Sequence, residues 1–376
     1  MNIGLIRRRY TPYGGAEVFL SRFVKGLLKN GHECHLFANE WKEDKNESIV
    51  FHHVGILKGI SFLKVLSFAV GSYFALKKEP LDVIISFERT LYQDIYRAGD
   101  GCHKEWLIQR RKVLSPIGYF LMMLNPLHVT LLLLERRLFQ SKRLKTIIAN
   151  SKRVKKDIIR HYSLPKEKIH VIYNGVNHEG LGIEDKERIR TIWRGRLGIS
   201  PETILLLFVG SGFKRKGLGF LIEALSLFKM NGGEKIKLMV VGKDSCRKYY
   251  RIAKRLGIEQ NVIFAGPVRE IKVYYHTGDI FVLPSIYEPF SNACLEAMAA
   301  GLPVVTSRAN GVSEVISHGK DGYIIEDPAN PYEIAETIRI LLDVENRDRV
   351  GEEARSTASR YTIERNLKET LALIAG

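Results

Sequence analysis

The stretch richest in groups that could do chemistry is LPSIYEPFSNACLEAMAAGLPVVT, from Leu283 to Thr306. It holds two carboxylates, Glu288 and Glu296, in a Glu-x7-Glu spacing. Ser291 and Asn292 are both good N-cap residues, so a helix is expected to begin there. Glu288 then lies in the loop before that helix and Glu296 in its early turns. The backbone N–H groups from about Phe290 through Ser291 and Asn292 to Ala293 would have no intrahelical acceptor and would face an anion at the helix start. Donors for a phosphate beside acceptors for hydroxyls suit a nucleotide sugar. An acidic helix with no ligand produces the same spacing of glutamates.

A second group is GSGFKRKGLGFLIEAL, which follows an apolar run. Its spacing is neither that of a Walker loop nor G-x-G-x-x-G. It still presents Gly210, Gly212 and Gly217 with Lys214, Arg215 and Lys216 just before a helix. Cations beside a helix start make a diphosphate site; a basic surface loop is the competing reading. Gly14 and Gly15, after the first strand, let a backbone approach a phosphate, and a plain tight turn fits that pair equally well. Beyond the apolar run DVIISF come Glu88, Asp94, Asp100 and His103, where an open α/β sheet places its function.

These groups need a frame that brings strand ends and helix starts together. Strands are expected at residues 2–6, 34–38, 51–55, 82–87, 146–150 and 170–176, with an apolar helix over 60–78 and a basic helix capped by Ser151 that ends near Tyr162. Residues 177–200 are polar and read as a linker holding one short helix. The second half alternates regularly, with strands at 204–209, 236–241, 262–264, 279–283, 303–306 and 323–325. The expected class is α/β with two doubly wound domains, which also suits 376 residues.

Charge is distributed unevenly. Met1–Val176 holds 30 of the 58 Lys and Arg but only 15 of the 41 Asp and Glu, an excess of +15 out of the formal +17. An anionic partner for that half is indicated, or else a merely solvated basic surface. Aromatic residues are not interleaved with the cations as a nucleic-acid stacking platform requires, so no nucleic acid is expected. The four cysteines form no C-x-x-C, which argues against a zinc knuckle or a disulfide framework and fits a reducing compartment. The opening MNIGLI followed by RRR is the reverse of a signal peptide. Residues 113–134 are apolar, but Pro116, Asn125, Pro126 and His128 divide them into two pieces, each too short to span a bilayer. Arg110, Arg111 and Lys112 precede them and Arg136 and Arg137 follow. That arrangement suits either a pair of core helices or a surface that touches an anionic membrane.

EPFSNACLEAMAAG between two strands, GGAEVFLSRFVKGLLKNGHECHLFA near the start, and ANS followed by VIYNGVN together resemble the retaining GT-B glycosyltransferases of family 4. The usual family form has Gly where this chain has Ser291. FERTLYQDIYRAGDGCH is similar to a segment of the lipopolysaccharide core glucosyltransferases within that family. The resemblance implies a GT-B fold of two Rossmann-like domains facing a cleft. Residues 1–176 would bind the acceptor and 177–360 the nucleotide sugar, with residues after about Tyr361 returning to the first domain.

It also implies roles. Arg215 and Lys216 match the family's phosphate-binding cations, and Pro267 and Val268 its nucleobase loop. Glu296 would take the ribose hydroxyls, Glu288 the donor sugar, and Asp100 would orient the donor sugar or the acceptor. The implied catalytic set is Asp100, Glu288 and Lys216. Gly14, Gly15, Phe290, Ser291, Asn292 and Ala293 complete the nucleotide-sugar site. No D-x-D motif occurs, so a metal-independent enzyme without a resident cofactor is expected, its UDP-sugar being a substrate. The first expectation is transfer of glucose from UDP-glucose to a heptose of lipopolysaccharide core by a cytoplasmic enzyme peripheral on the inner face of the cell membrane. The alternatives are another nucleotide sugar or glycolipid acceptor, a UDP-sugar epimerase of GT-B fold, and a basic nucleic-acid- or membrane-binding protein with no activity.

Overall fold

The computed structural model describes residues 1–10, 15–41, 48–179, 181, 186–229 and 235–375. Its strands are β1 (Asn2–Ile6), β2 (Arg9–Tyr10), β3 (Glu33–Ala38), β4 (Glu40–Trp41), β5 (Ile49–His53), β6 (Val83–Ser86), β7 (Ile95–Ala98), β8 (Thr146–Ala149), β9 (Ile169–Val171), β10 (Ile204–Val209), β11 (Ile236–Val241), β12 (Val262–Gly266), β13 (Ile280–Leu283), β14 (Val304–Ser307) and β15 (Tyr323–Ile325). The chain divides into two compact units. One is Met1–Tyr173 with Ile363–Gly376, and the other is Asn174–Thr362.

The first unit is built on a seven-stranded sheet of order β5-β3-β1-β6-β7-β8-β9, parallel at every pairing. Parallel strands flanked by helices are buried on both faces and so read as continuous apolar runs. Ile3, Leu5, Leu36, Ile85 and Ile148 are accordingly buried in one cluster with Leu20, Phe23 and Leu27 of the helix Gly15–Lys29. Gly26 of that helix faces Leu367 of the helix Ile363–Ala375, where a Cβ would lie 2.1 Å from the leucine side chain and force it to move.

One strand breaks the apolar pattern. β7 reads IYRA and is fully buried, whereas no strand is expected from the sequence between residues 88 and 103. Arg97 hides it: the side chain is buried, and its guanidinium lies 3.9 Å over the Phe19 ring. Asp94, expected near the cleft, is instead structural. Its Oδ2 accepts from the backbone N–H of Ile84 at 3.0 Å and pairs with Arg143 at 3.0 Å, fixing the approach to β7.

Residues 113–134 form parts of two helices, Pro116–Met123 and Pro126–Phe139, bent by 62°. Each starts with proline at its first turn after a capping side chain, Ser115 and Asn125 respectively, which is why the apolar run is cut there. Among the described residues no single helix is long and apolar enough to cross a membrane. The two pieces differ. Leu134, Leu138 and Phe139 are buried, while Ile117, Phe120, Leu121 and Leu124 are 61–75% exposed.

The second unit carries a six-stranded parallel sheet of order β12-β11-β10-β13-β14-β15. The strand order reverses between β10 and β13, and such a switch point is the crevice-forming feature of doubly wound sheets. The helix Lys186–Arg196, expected as part of a linker, is anchored to this unit. Arg190 and Arg194 both pair with the buried carboxylate of Asp279 just before β13, and Asp279 also accepts from the backbone N–H of Leu205 at 2.7 Å.

Candidate functional site

In the second unit the loop after β10 turns through Gly210, Gly212 and Gly217, all at positive φ. A Cβ on Gly210 would lie 2.7 Å from the Lys216 side chain, and one on Gly217 would lie 2.0 Å from the Pro284 carbonyl oxygen. Glycine is therefore required to fold Lys216 back against the end of β13. Asp244, after β11, braces the loop by accepting from the backbone N–H groups of Gly212 and Phe213, each at 2.8 Å.

That fold brings Lys216 and Arg215 to Glu288. Arg215 Nη1 lies 2.8 Å and Lys216 Nζ 3.1 Å from Glu288 Oε2. Glu288 and Lys216 are buried. Burial alone would raise the Glu288 carboxyl, but Lys216 and then Arg215 outweigh it and hold the group below the usual carboxylate range. The three groups sum to +1, so the cluster is a buried carboxylate with a surplus cation beside it. The backbone of Glu288 is held too: its N–H donates to the Ala309 carbonyl at 3.0 Å, and its own carbonyl accepts from Gly311 at 2.8 Å.

The helix Asn292–Ala299 starts three residues after Pro289, with Ser291 as its N-cap. Ser291 has φ −85° and accepts from the backbone N–H of Cys294 at 3.3 Å. No left-handed conformation is needed, so Ser replaces the family's Gly without strain and supplies a cap. Asn310 supports this start by accepting from the Ser291 N–H at 3.2 Å and donating to Thr306 at 3.0 Å. Phe290 is buried, and Asn292 accepts from Asn174 at 2.7 Å. Glu296, one turn on, accepts a 2.7 Å hydrogen bond from the Tyr275 hydroxyl. Burial, and after it the Glu296 charge, push the Tyr275 phenol far up, so it stays a donor.

Pro267, exposed, and Val268, partly exposed, lie in the loop directly after β12. Gly15 opens the first helix of the other unit, and Gly14 lies outside the described residues. Asp100 is exposed, in a turn after β7 of the first unit. It borders a cavity of about 410 Å³ with Arg8, Arg9, Lys64 and Glu88 on the polar side. Phe68, Leu127 and Leu131 form the apolar side. His103 is buried, 3.2 Å from His128, and burial followed by Arg89 pushes it down to about 4.

The sequence reading missed the groups that hold the site. Besides Asp244, Tyr275 and Asn310, the main one is Glu135, 1% exposed. It accepts from the backbone N–H groups of His103 and Lys104, from Tyr162, and from Arg89. Arg89 in turn donates to the Gly101 carbonyl at 2.8 Å and so fixes the Asp100 turn. No spacing rule could connect Glu135 to residues 32 positions away.

Residues 13–179 match the model for Glycosyltransferase Family 4, and residues 189–357 that for Glycosyl transferases group 1. The chain is similar to the lipopolysaccharide glucosyltransferase WaaG of Escherichia coli strain K12, at 27% identity over 89% of this chain and 87% of that one. It is also similar to a D-inositol 3-phosphate glycosyltransferase of Corynebacterium glutamicum, at 26% identity over 93% and 88%. A crystal structure of WaaG superposes with a TM-score of 0.85 at 25% identity, covering 100% of both chains. Anabaena HepE in complex with UDP-glucose shares the fold, with a TM-score of 0.73 at 20% identity over 99% of both. The fold is GT-B.

The Glu288 cluster has a pH signature. Its carboxyl titrates below the ordinary 4.5 in the folded state, so its contribution to stability is present above about pH 4.5 and is lost as pH falls through the lowered folded value. The difference in urea-unfolding free energy between the wild type and Glu288→Gln should therefore be largest near neutrality and shrink below pH 4.5. A difference that stays constant down to pH 3 would show that the carboxylate is not held by these cations.

Proposed function

Because this chain belongs to the group 1 and family 4 glycosyltransferases, we propose that it is a retaining, metal-independent hexosyltransferase that moves glucose from UDP-glucose to a heptose of lipopolysaccharide core. The observation that carries this reading is the Arg215–Glu288–Lys216 cluster beside the start of the helix Asn292–Ala299. Arg215, Lys216 and the first N–H groups of that helix would neutralise the diphosphate as it departs. Glu288, held ionised, would accept hydroxyls of the donor sugar and oppose the positive charge that develops at its ring. Glu296, aimed by Tyr275, would take the ribose hydroxyls, and Pro267 and Val268 would border the base. The bond from the anomeric carbon to UDP breaks, the acceptor oxygen bonds to the same face, and its proton passes to the departing diphosphate. No resident cofactor enters this scheme.

We assign the acceptor to the cavity of the first unit. Glu88 and Asp100 there would accept hydroxyls, and Arg8, Arg9 and Lys64 suit a phosphorylated glycan. A phosphorylated polyol is the second reading, favoured by these cations and by the similarity to the inositol phosphate enzyme. The exposed Ile117, Phe120, Leu121 and Leu124, with exposed Arg111, Lys112, Arg136 and Arg137 around them, support attachment to the cytoplasmic face of an anionic membrane, where a glycolipid acceptor resides. Each engaged cation contributes on the order of 1 kcal/mol.

Steady-state kinetics separate the two carboxylates. Glu296→Ala should weaken UDP inhibition about tenfold or more with a smaller loss of kcat, because ribose contacts are made equally in ground and transition states. Glu288→Ala should lower kcat by about two to three orders of magnitude, by analogy with the loss of one transition-state donor. An unchanged UDP inhibition constant in Glu296→Ala excludes the ribose role. For the membrane, the protein should sediment with vesicles containing anionic lipid and not with neutral ones, and a variant with Arg111, Lys112, Arg136 and Arg137 all changed to Gln should lose that preference. Equal sedimentation on both vesicle types would contradict the attachment.

A further inference from the structure

At the edge of the first sheet lies a cluster that the transferase reading does not use. His35 on β3 and His52 on the edge strand β5 project toward each other, with His35 Nδ1 2.9 Å from His52 Nε2. Glu79, just past the helix Ser61–Leu76, brings Oε1 to 3.5 Å from His52 Nδ1. One donor atom from each of the three residues lies within 4.8 Å of the other two. Phe37, the register partner of His52, stacks on its ring at 4.3 Å and 6°, which fixes the plane of the imidazole. His35 is buried, and its Nε2 has no hydrogen bond of good geometry. The nearest carboxylate to that atom is Glu33, at 3.5 Å.

We propose that His35, His52 and Glu79 form a binding site for a divalent metal of the zinc class. Two imidazoles and one carboxylate are the donor set for borderline cations such as Zn2+, Co2+ or Ni2+, and a poor one for Mg2+ or Ca2+, which take oxygen ligands. Tetrahedral zinc, with its ligands about 2.0–2.1 Å away, needs them about 3.3 Å apart. The two histidine nitrogens need only open slightly, and the Glu79 carboxylate, partly exposed and now on the Nδ1 side of His52, must swing toward their facing side to complete the set. Without a metal the facing nitrogens share one N–H. With a metal both present lone pairs, and when His35 carries its hydrogen on Nε2 instead, Glu33 is placed to accept it. A carboxylate behind a ligating imidazole is the usual means of orienting it. No proton is lost overall.

Such a metal would tie the edge strand β5 to β3 and to the end of the helix Ser61–Leu76. Ser61, Lys64, Val65 and Phe68 of that helix line the cavity of about 410 Å³, so the ion would brace one cavity wall. The inference does not rest on the transferase reading. The sequence showed no metal motif because the ligands come from two neighbouring strands and from beyond a helix.

The test is calorimetric titration of the full chain, free of any polyhistidine tag, with ZnCl2, together with the visible absorption of the Co2+ form. One equivalent should bind with micromolar or tighter affinity and give the intense bands of four-coordinate cobalt. His52→Gln should weaken binding at least tenfold. Glu79→Gln, which alters a partly exposed side chain and tests the site without disturbing the sheet, should do likewise while circular dichroism stays unchanged. Absence of stoichiometric binding, or wild-type affinity in both variants, would overturn the proposal.

Discussion

A buried carboxylate is costly unless cations meet it, and the second unit is arranged around that requirement at Glu288. Its two partners come from a glycine-lined loop on the far side of β13, and the loop can make the approach only because Gly210 and Gly217 leave room for the Lys216 side chain and the Pro284 carbonyl. The backbone of Glu288 is clamped to residues 309–311, the same segment whose Asn310 supports the N-cap of the helix Asn292–Ala299. Loop, strand end and helix start are thus mutually dependent. Moving any one of them would leave either a charge without its partner or a helix end without its cap.

The first unit uses the same device on a turn. Glu135, on one helix, satisfies the first N–H groups of another and pairs with Arg89, which holds the turn containing Asp100 through the Gly101 carbonyl. Burial raises the Glu135 carboxyl, and Arg89 together with the donated hydrogen bonds more than reverses this, so it stays ionised. Both units therefore hold groups of their candidate sites on frames fixed by buried ion pairs, and breaking one of these pairs would leave a buried charge uncompensated.

Most of the sheet architecture was legible because parallel strands buried on both faces leave an unmistakable apolar record. All six strands of the second unit lie within two residues of where the sequence placed them, and the break of residues 113–134 into two helices follows from Pro116 and Pro126. What escaped was β7, where the buried Arg97 interrupts the pattern, and the anchoring of the short helix Lys186–Arg196 to the second unit, because its arginines pair with Asp279, far along the chain. The candidate site could be read where its residues are local in sequence, as at Arg215–Lys216 and along Glu288 to Glu296, and the structure brings the first pair to Glu288. Its supports were not: Tyr275, Asp244, Asn310 and Glu135 act across distances in the chain that no spacing rule encodes.

The central claim is that the Lys216–Glu288–Arg215 cluster receives the diphosphate end of a nucleotide sugar. Its most direct test is the protection of the wild type and Lys216→Ala against thermal unfolding by a panel of UDP-, GDP- and ADP-sugars, since a ligand that binds only the folded chain raises its stability. The account predicts that UDP-glucose raises the unfolding temperature of the wild type by several degrees and that Lys216→Ala, with unchanged circular dichroism, loses most of that rise. No protection by any nucleotide sugar, or equal protection of both proteins, would contradict it.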